Sequence, residues 1–145
     1  RGTLFRQTMF AEFEDMAHRK GAAGESLTAQ NLCQMYRQLN VDYFGPEMNV
    51  DAQIDYEWER IPHFYTPFYV YQYATGFSAA VAISSRIMKG EEGALEGYKK
   101  FLSGGCSMTP IELLRLCGVD MSTTRPVDEA LSFFGELLDE FEGQR

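Results

Sequence analysis

The sequence predicts an all-α fold, a multi-helix array without a sheet, and three observations carry that expectation. Apolar residues recur every three to four positions in the long segments, helix-starting and helix-stopping residues punctuate them, and no segment alternates as a half-buried strand would. No period repeats along the chain, so a solenoid is not expected.

Residues 3–20 place Phe5, Met9, Phe13 and Met16 on one face, with Glu12, Asp15 and Arg19 on others, as an amphipathic helix requires. Gly21 and Gly24 end it. Thr28 offers an N-cap oxygen to a second helix whose stripe is Leu32, Met35, Tyr36 and Leu39, closed between Asn40 and Pro46. Residues 51–60 are of mixed character and suggest a short helix, stopped by the restriction on a residue before Pro62. Pro67 can open the next helix, since a first-turn residue needs no amide partner, and its pattern runs to about Lys89. Three shorter helices are expected at residues 90–102, at 109–117 behind Thr109 and Pro110, and at 126–141. The last carries a narrow seam of Val127, Leu131, Phe134, Leu138 and Phe141 against an acidic face, and is expected to pack through that seam.

A chain of 145 residues fits one domain and can bury roughly 70% of the surface its unfolded form exposes. Its formal net charge of −8 and pI of about 4.7 would repel phosphate backbones and anionic lipid, and no Lys/Arg cluster offsets this, so nucleic acid is not an expected partner. Cys33, Cys106 and Cys117 are odd in number and far apart, which points to free thiols in a reducing compartment and hence to the cytoplasm. No Cys-x-x-Cys or His-x-x-x-His pair is present, so no metal ligands are assigned. The chain opens at Arg1, straight into a helical pattern, as a portion of a longer protein would.

Residues 64–85 hold no charge for 22 positions, long enough in principle to cross a bilayer. Gln72, Thr75, Gly76 and Ser78 in the middle, and tyrosines crowded at one end, argue instead for a central helix surrounded by others. His63, Tyr65, Tyr69, Tyr71 and Tyr73 fall within eleven residues. In a helix after Pro67, Tyr69 and Tyr73 share a face while Tyr71 points elsewhere. Two phenols and an imidazole, neutral hydrogen-bonding groups at pH 7, could then grip a peptide carbonyl or stabilise an oxyanion. The alternative is an aromatic core whose hydroxyls bond backbone carbonyls.

The stretch Arg1-Gly2-Thr3-Leu4-Phe5-Arg6-Gln7-Thr8-Met9-Phe10-Ala11-Glu12-Phe13-Glu14, then Tyr43-Phe44-Gly45-Pro46, then Ile61-Pro62-His63-Phe64-Tyr65 and Phe68-Tyr69-Val70-Tyr71-Gln72-Tyr73-Ala74-Thr75-Gly76 together resemble oligoendopeptidase F and its thimet-oligopeptidase-like relatives. The resemblance spans nearly the whole chain. It implies the C-terminal helical part, residues 1–145, of a larger and mostly helical zincin-type peptidase with a deep substrate channel. In that family zinc is held by a His-Glu-x-x-His helix and a later glutamate, elements this sequence lacks, so zinc would be bound by residues outside this chain. The whole enzyme is expected to hydrolyse internal bonds of short peptides through a metal-activated water. The resemblance assigns His63 to substrate binding and Tyr69 and Tyr73 to the carbonyl as it becomes an oxyanion, with Tyr65 and Tyr71 as further substrate-binding candidates. The partners implied are a short peptide and the upstream portion of the same protein, and the isolated chain is expected to be inactive.

Other features carry blander readings. His18 near Asp15 has a carboxylate-x-x-His spacing, but a di-iron bundle needs that motif twice, so His18 is expected at the surface. Cys106 has no histidine near it in sequence and is expected to be an incidental thiol. Glu57 and Glu59 either steady His63 or form a solvated acidic turn. A helical module that holds a peptide or partner helix without chemistry is the competing function. A part of a larger fold should also expose apolar surface, which makes self-association an expectation.

Overall fold

The computed structural model describes residues 1–144; the chain divides into two compact units, Arg1–Ala74 and a second that begins at Thr75. Helix is the only regular structure among the described residues, as the periodicity predicts. In the first unit a π-helical turn, Gly2–Arg6, runs into α1 (Gln7–Ala22), followed by α2 (Ala29–Phe44) and two 3-10 segments, Ala52–Arg60 and Pro62–Tyr65. Helix α3 (Tyr71–Met88) opens in this unit and continues into the second, which adds α4 (Ala94–Gly104), α5 (Pro110–Leu116) and α6 (Arg125–Gly143).

Caps fall where the sequence offers them. The Thr28 hydroxyl accepts the Asn31 amide (3.2 Å) at the start of α2. At α5 the box is reciprocal: Thr109 Oγ1 accepts from the Glu112 N–H while the Glu112 carboxylate accepts from the Thr109 N–H (2.9 Å), with Pro110 in the first turn.

The first unit is closed by Met9, Phe10 and Phe13 of α1 against Met35, Tyr36 and Leu39 of α2, with Ile61 and Val70 completing the core. Apolar burial of this kind is the main favourable term. One carboxylate lies inside it. Glu57 is buried, and it accepts hydrogen bonds from the Tyr36 hydroxyl (2.7 Å), from Arg6 (2.5 Å) and from Arg60. It makes no hydrogen bond to His63 among those described and is not a solvated turn, the two readings the sequence offered. In a 3-10 segment residues three apart eclipse, and Glu57 falls on the inward side while Glu59 stays exposed.

The second unit packs Ala79, Ala82 and Ile83 of α3 against Cys117 and Val119. Two glycines permit it. A Cβ on Gly97 would stand 2.4 Å from the Leu116 carbonyl oxygen, so the backbones of α4 and α5 can approach this closely only because residue 97 has no side chain. Gly118, at φ 71°, leaves room for the Arg86 guanidinium, whose Nη1 donates to the Cys117 carbonyl (2.7 Å). The Cys117 thiol is buried, and burial pushes its pKa up against the pull of Arg86, which keeps it protonated and unreactive.

Two expectations fail here. Helix α3 is not surrounded within its unit: Ser78, Ala79, Val81, Ala82 and Ile83 are buried, but Gly76, Phe77, Ala80 and Ser84 are exposed. Nor does α6 pack through the whole of the expected seam. Only part of it is covered: Pro126 and Ala130 are buried and Val127 and Phe134 half-buried, while Leu131, Leu138 and Phe141 are exposed. Among the described residues no helix is long and apolar enough to cross a membrane.

The Glu57 cluster yields a pH prediction. Burial alone would raise its pKa, but hydrogen bonds from Tyr36 and Arg6 and the charges of Arg6 and Arg60 outweigh that and hold the carboxyl below 4.5. Its contribution is therefore full above 4.5 and is lost as pH falls through the lower, folded value. Glu57→Leu should cost about 1–3 kcal/mol at neutral pH, because it orphans the buried Tyr36 hydroxyl, and the gap should narrow in acid. Urea unfolding of both proteins across acid to neutral pH checks this; a pH-independent gap contradicts it.

Candidate functional site

The exposed tyrosines are displayed by residues that point the other way. Ile61, in the extended conformation that precedes proline, is buried, and Pro62 then opens the 3-10 turn Pro62–Tyr65. Phe64 of that turn packs edge-on to Phe10 (5.7 Å between centroids) and against Phe13 (5.4 Å). This pins the backbone, so His63 faces outward. Val70, fully buried, does the same for the segment that carries Tyr69 and leads into Tyr71 and Tyr73.

The segment after Pro67 is not helical, contrary to expectation. Phe68 sits at φ 59°, outside the right-handed helical region, and its N–H is taken by Glu14 Oε1 at 2.8 Å. Helix α3 consequently begins only at Tyr71. Tyr69 and Tyr73 still meet, one from the turn and one from the first turn of the helix.

His63, Tyr69 and Tyr73 form a mutually packed trio. The imidazole lies parallel to the Tyr69 ring (5.8 Å, 15°) and edge-on to Tyr73 (5.7 Å, 87°), and the two phenol rings meet edge-on (5.5 Å, 79°). Tyr73 Oη lies 3.3 Å from His63 Nε2, a hydrogen bond whose direction follows the imidazole tautomer. All three are open to solvent on one side, Tyr69 and Tyr73 being 40% and 36% exposed. The alternative of a buried aromatic core is therefore not what these rings form. Tyr65 and Tyr71 are more open still, at 81% and 50%. His18 is exposed, and its ring packs on that of Phe68 at 4.6 Å. Among the described residues no three His, Cys, Asp or Glu side chains group closely enough to hold a metal ion. Zinc does not fit the residues present, and the chemistry they can offer is hydrogen bonding to a neutral or developing negative oxygen.

Sequence reasoning missed Glu14 and Phe68. Glu14 reads as one more acid on an amphipathic helix, and its partner lies 54 residues away, so no local spacing points to the pair.

Residues 1–133 match the model of peptidase family M3. This chain belongs to that family. It is 52% identical over 142 residues to oligopeptidase PepF of Bacillus subtilis, a match covering 98% of this chain and 21% of that protein. It is 43% identical to the plasmid oligoendopeptidase F of Lactococcus lactis subsp. cremoris, covering 98% and 24%. The crystal structure of oligoendopeptidase-F from Enterococcus faecium superposes with a TM-score of 0.95 at 45% identity, covering 98% of this chain and 27% of that one. The chain thus spans about a quarter of the length of these relatives, and the Enterococcus faecium structure shares its all-helical fold over the matched part.

The Tyr73 phenol has its pKa raised, chiefly by a hydrogen bond with Tyr69 and then by desolvation, so it stays protonated, and able to donate, to a pH above the ordinary value of 10. Carbon NMR of the Tyr73 ring across alkaline pH should show this, and Tyr69→Phe should bring the titration back towards the ordinary value. An unmoved midpoint would show that the phenols do not interact.

Proposed function

We propose that the chain is the C-terminal helical part of a zinc-dependent, cytoplasmic oligoendopeptidase that hydrolyses internal bonds of short peptides, and that this part supplies contacts to the substrate. The observation that carries the reading is the trio itself: an imidazole and two phenols, supported from beneath by a packed core, with one side left open to a ligand. Membership of family M3 supplies the reaction class. The zinc is assigned to residues outside this chain, and so is the activation of water.

What remains for these residues is binding and charge stabilisation. His63 is assigned to the peptide, with Tyr65 and Tyr71 as outlying contacts. Tyr69 and Tyr73 are assigned to the scissile carbonyl oxygen, whose negative charge grows as the tetrahedral species forms. A neutral phenol serves that task better than an ammonium group would, because its bond strengthens as the charge develops without binding the ground-state carbonyl tightly.

Tyr73→Phe or Tyr69→Phe in the protein of full family length should lower kcat by about a hundred- to a thousandfold, the usual effect of removing one preorganised donor. A peptide-hydrolysis assay measures it, and in the same assay the 145-residue chain alone, with added zinc, should show no turnover. Unchanged rates in both variants would sink the assignment. They would favour a helical peptide- or protein-interaction module, a reading supported by the open apolar groove of about 670 Å³ lined by Ala79, Ile83, Tyr98, Phe101 and Leu113.

That groove and the exposed Leu131, Leu138 and Phe141 of α6 are assigned to packing against the upstream portion of the same protein. By itself the chain should then self-associate through them. Sedimentation showing only monomer at high concentration would refute this.

A further inference from the structure

Among the described residues, Phe68 alone of the non-glycines has a positive φ, at 59°. The left-handed conformation is unfavourable for a side chain of this size, so something must hold it. Burial of the ring does not, since Phe68 is half exposed. The restraint comes from α1. Glu14, buried, accepts the Phe68 N–H at 2.8 Å, and His18, one helical turn further on, packs its ring on that of Phe68. The next residue but one, Val70, is fully buried, so the backbone at Tyr69 is held from both sides.

The competing conformation is plain. Without an acceptor at Glu14, Phe68 can relax from its positive φ to the negative φ that a residue with a Cβ prefers, and the turn that carries Tyr69 turns with it. The hydrogen bond that the Phe68 N–H donates to the buried Glu14 offsets the strain of the left-handed turn. We propose that Glu14 is a positioning residue of the candidate site: by holding Phe68 in the left-handed turn it aims the Tyr69 ring at His63 and Tyr73. The consequence for catalysis rests on the function proposed above; the geometric role does not.

Three variants test it: Glu14→Met, which fills the space but offers no acceptor; Glu14→Gln, whose amide oxygen can still accept; and Glu14→Met combined with Phe68→Gly, since glycine adopts the left-handed turn without a clamp. In the chain itself, carbon NMR of the Tyr73 ring should show its raised titration falling back towards 10 in Glu14→Met, retained in Glu14→Gln and recovered in the double variant. In the protein of full family length, Glu14→Met should lower kcat by about a hundredfold, as expected of a misplaced catalytic group, with little change in KM, and Glu14→Gln should restore it. Should Glu14→Met fail to fold, the double variant decides: recovery of the raised titration supports the role and its loss overturns it. Glu14→Met with parental titration and kcat also overturns it. If Tyr73→Phe leaves kcat unaltered while Glu14→Met still shifts the titration, the peptidase assignment of the phenols falls and the positioning role stands.

Discussion

The first unit depends on a charged group placed where charge is expensive. Glu57 lies within a layer of aromatic and apolar side chains, and the interior tolerates it because three donors reach it from three different places: Tyr36 on α2, Arg6 on the π-helical turn before α1, and Arg60 three residues along its own segment. A buried carboxylate with fewer partners would take up a proton or drag water inward. With these partners it fixes register. The segment Ala52–Arg60 has no long helix and no strand to hold it, and the carboxylate ties it to α2 and to the turn before α1, beside the Arg37–Asp55 ion pair (2.9 Å) from α2. The Tyr36 phenol is raised by burial and by its bond to Glu57, so the pair stays in one protonation state throughout the neutral range.

Register there sets the direction of His63. The imidazole is carried on a four-residue turn that begins two residues after Arg60, and the turn is kept from rotating by Phe64 against Phe10 and Phe13. Outward and inward residues are therefore separated by single steps: Ile61, Phe64 and Val70 face the core, while His63, Tyr65 and Tyr69 face away. A site built on such a segment inherits the rigidity of the core without being buried in it, which is what a group that must meet a ligand in fixed geometry requires.

Much of this was legible in the sequence, for a definite reason. Helices announce themselves through local periodicity and through caps, and both are short-range: Thr28, Thr109 with Glu112, and Pro110 behave in the structure as residue type alone suggests. The convergence of His63 with Tyr69 and Tyr73 was legible too, although the route to it was not. A helix from Pro67 would also have put the two tyrosines on one face, so the right pair emerged from a local conformation the chain does not adopt. What stayed hidden depends on distant partners. Glu14 and Phe68 are 54 residues apart, Tyr36 and Glu57 are 21 apart, and nothing in the neighbourhood of either member marks it. The apolar seam of α6 misled in the opposite sense. Periodicity shows that a face is apolar, but it does not say whether the element that covers it belongs to the same stretch of chain.

The exposed site and the exposed apolar faces are then two aspects of one circumstance. Phenols left 36–40% open, supported from beneath and from the side, hold their orientation at no further cost when a ligand arrives, so reorganisation does not tax the encounter. The same rings buried in a core would be satisfied by backbone carbonyls and would have nothing left to offer. Under the proposed function, the exposure of Leu131, Leu138 and Phe141 is that of a surface to be covered, and that of the trio is the exposure of groups meant for a ligand. Polar and apolar exposure thus point to different occupants, and a chain matching only about a quarter of its relatives' length leaves room for both.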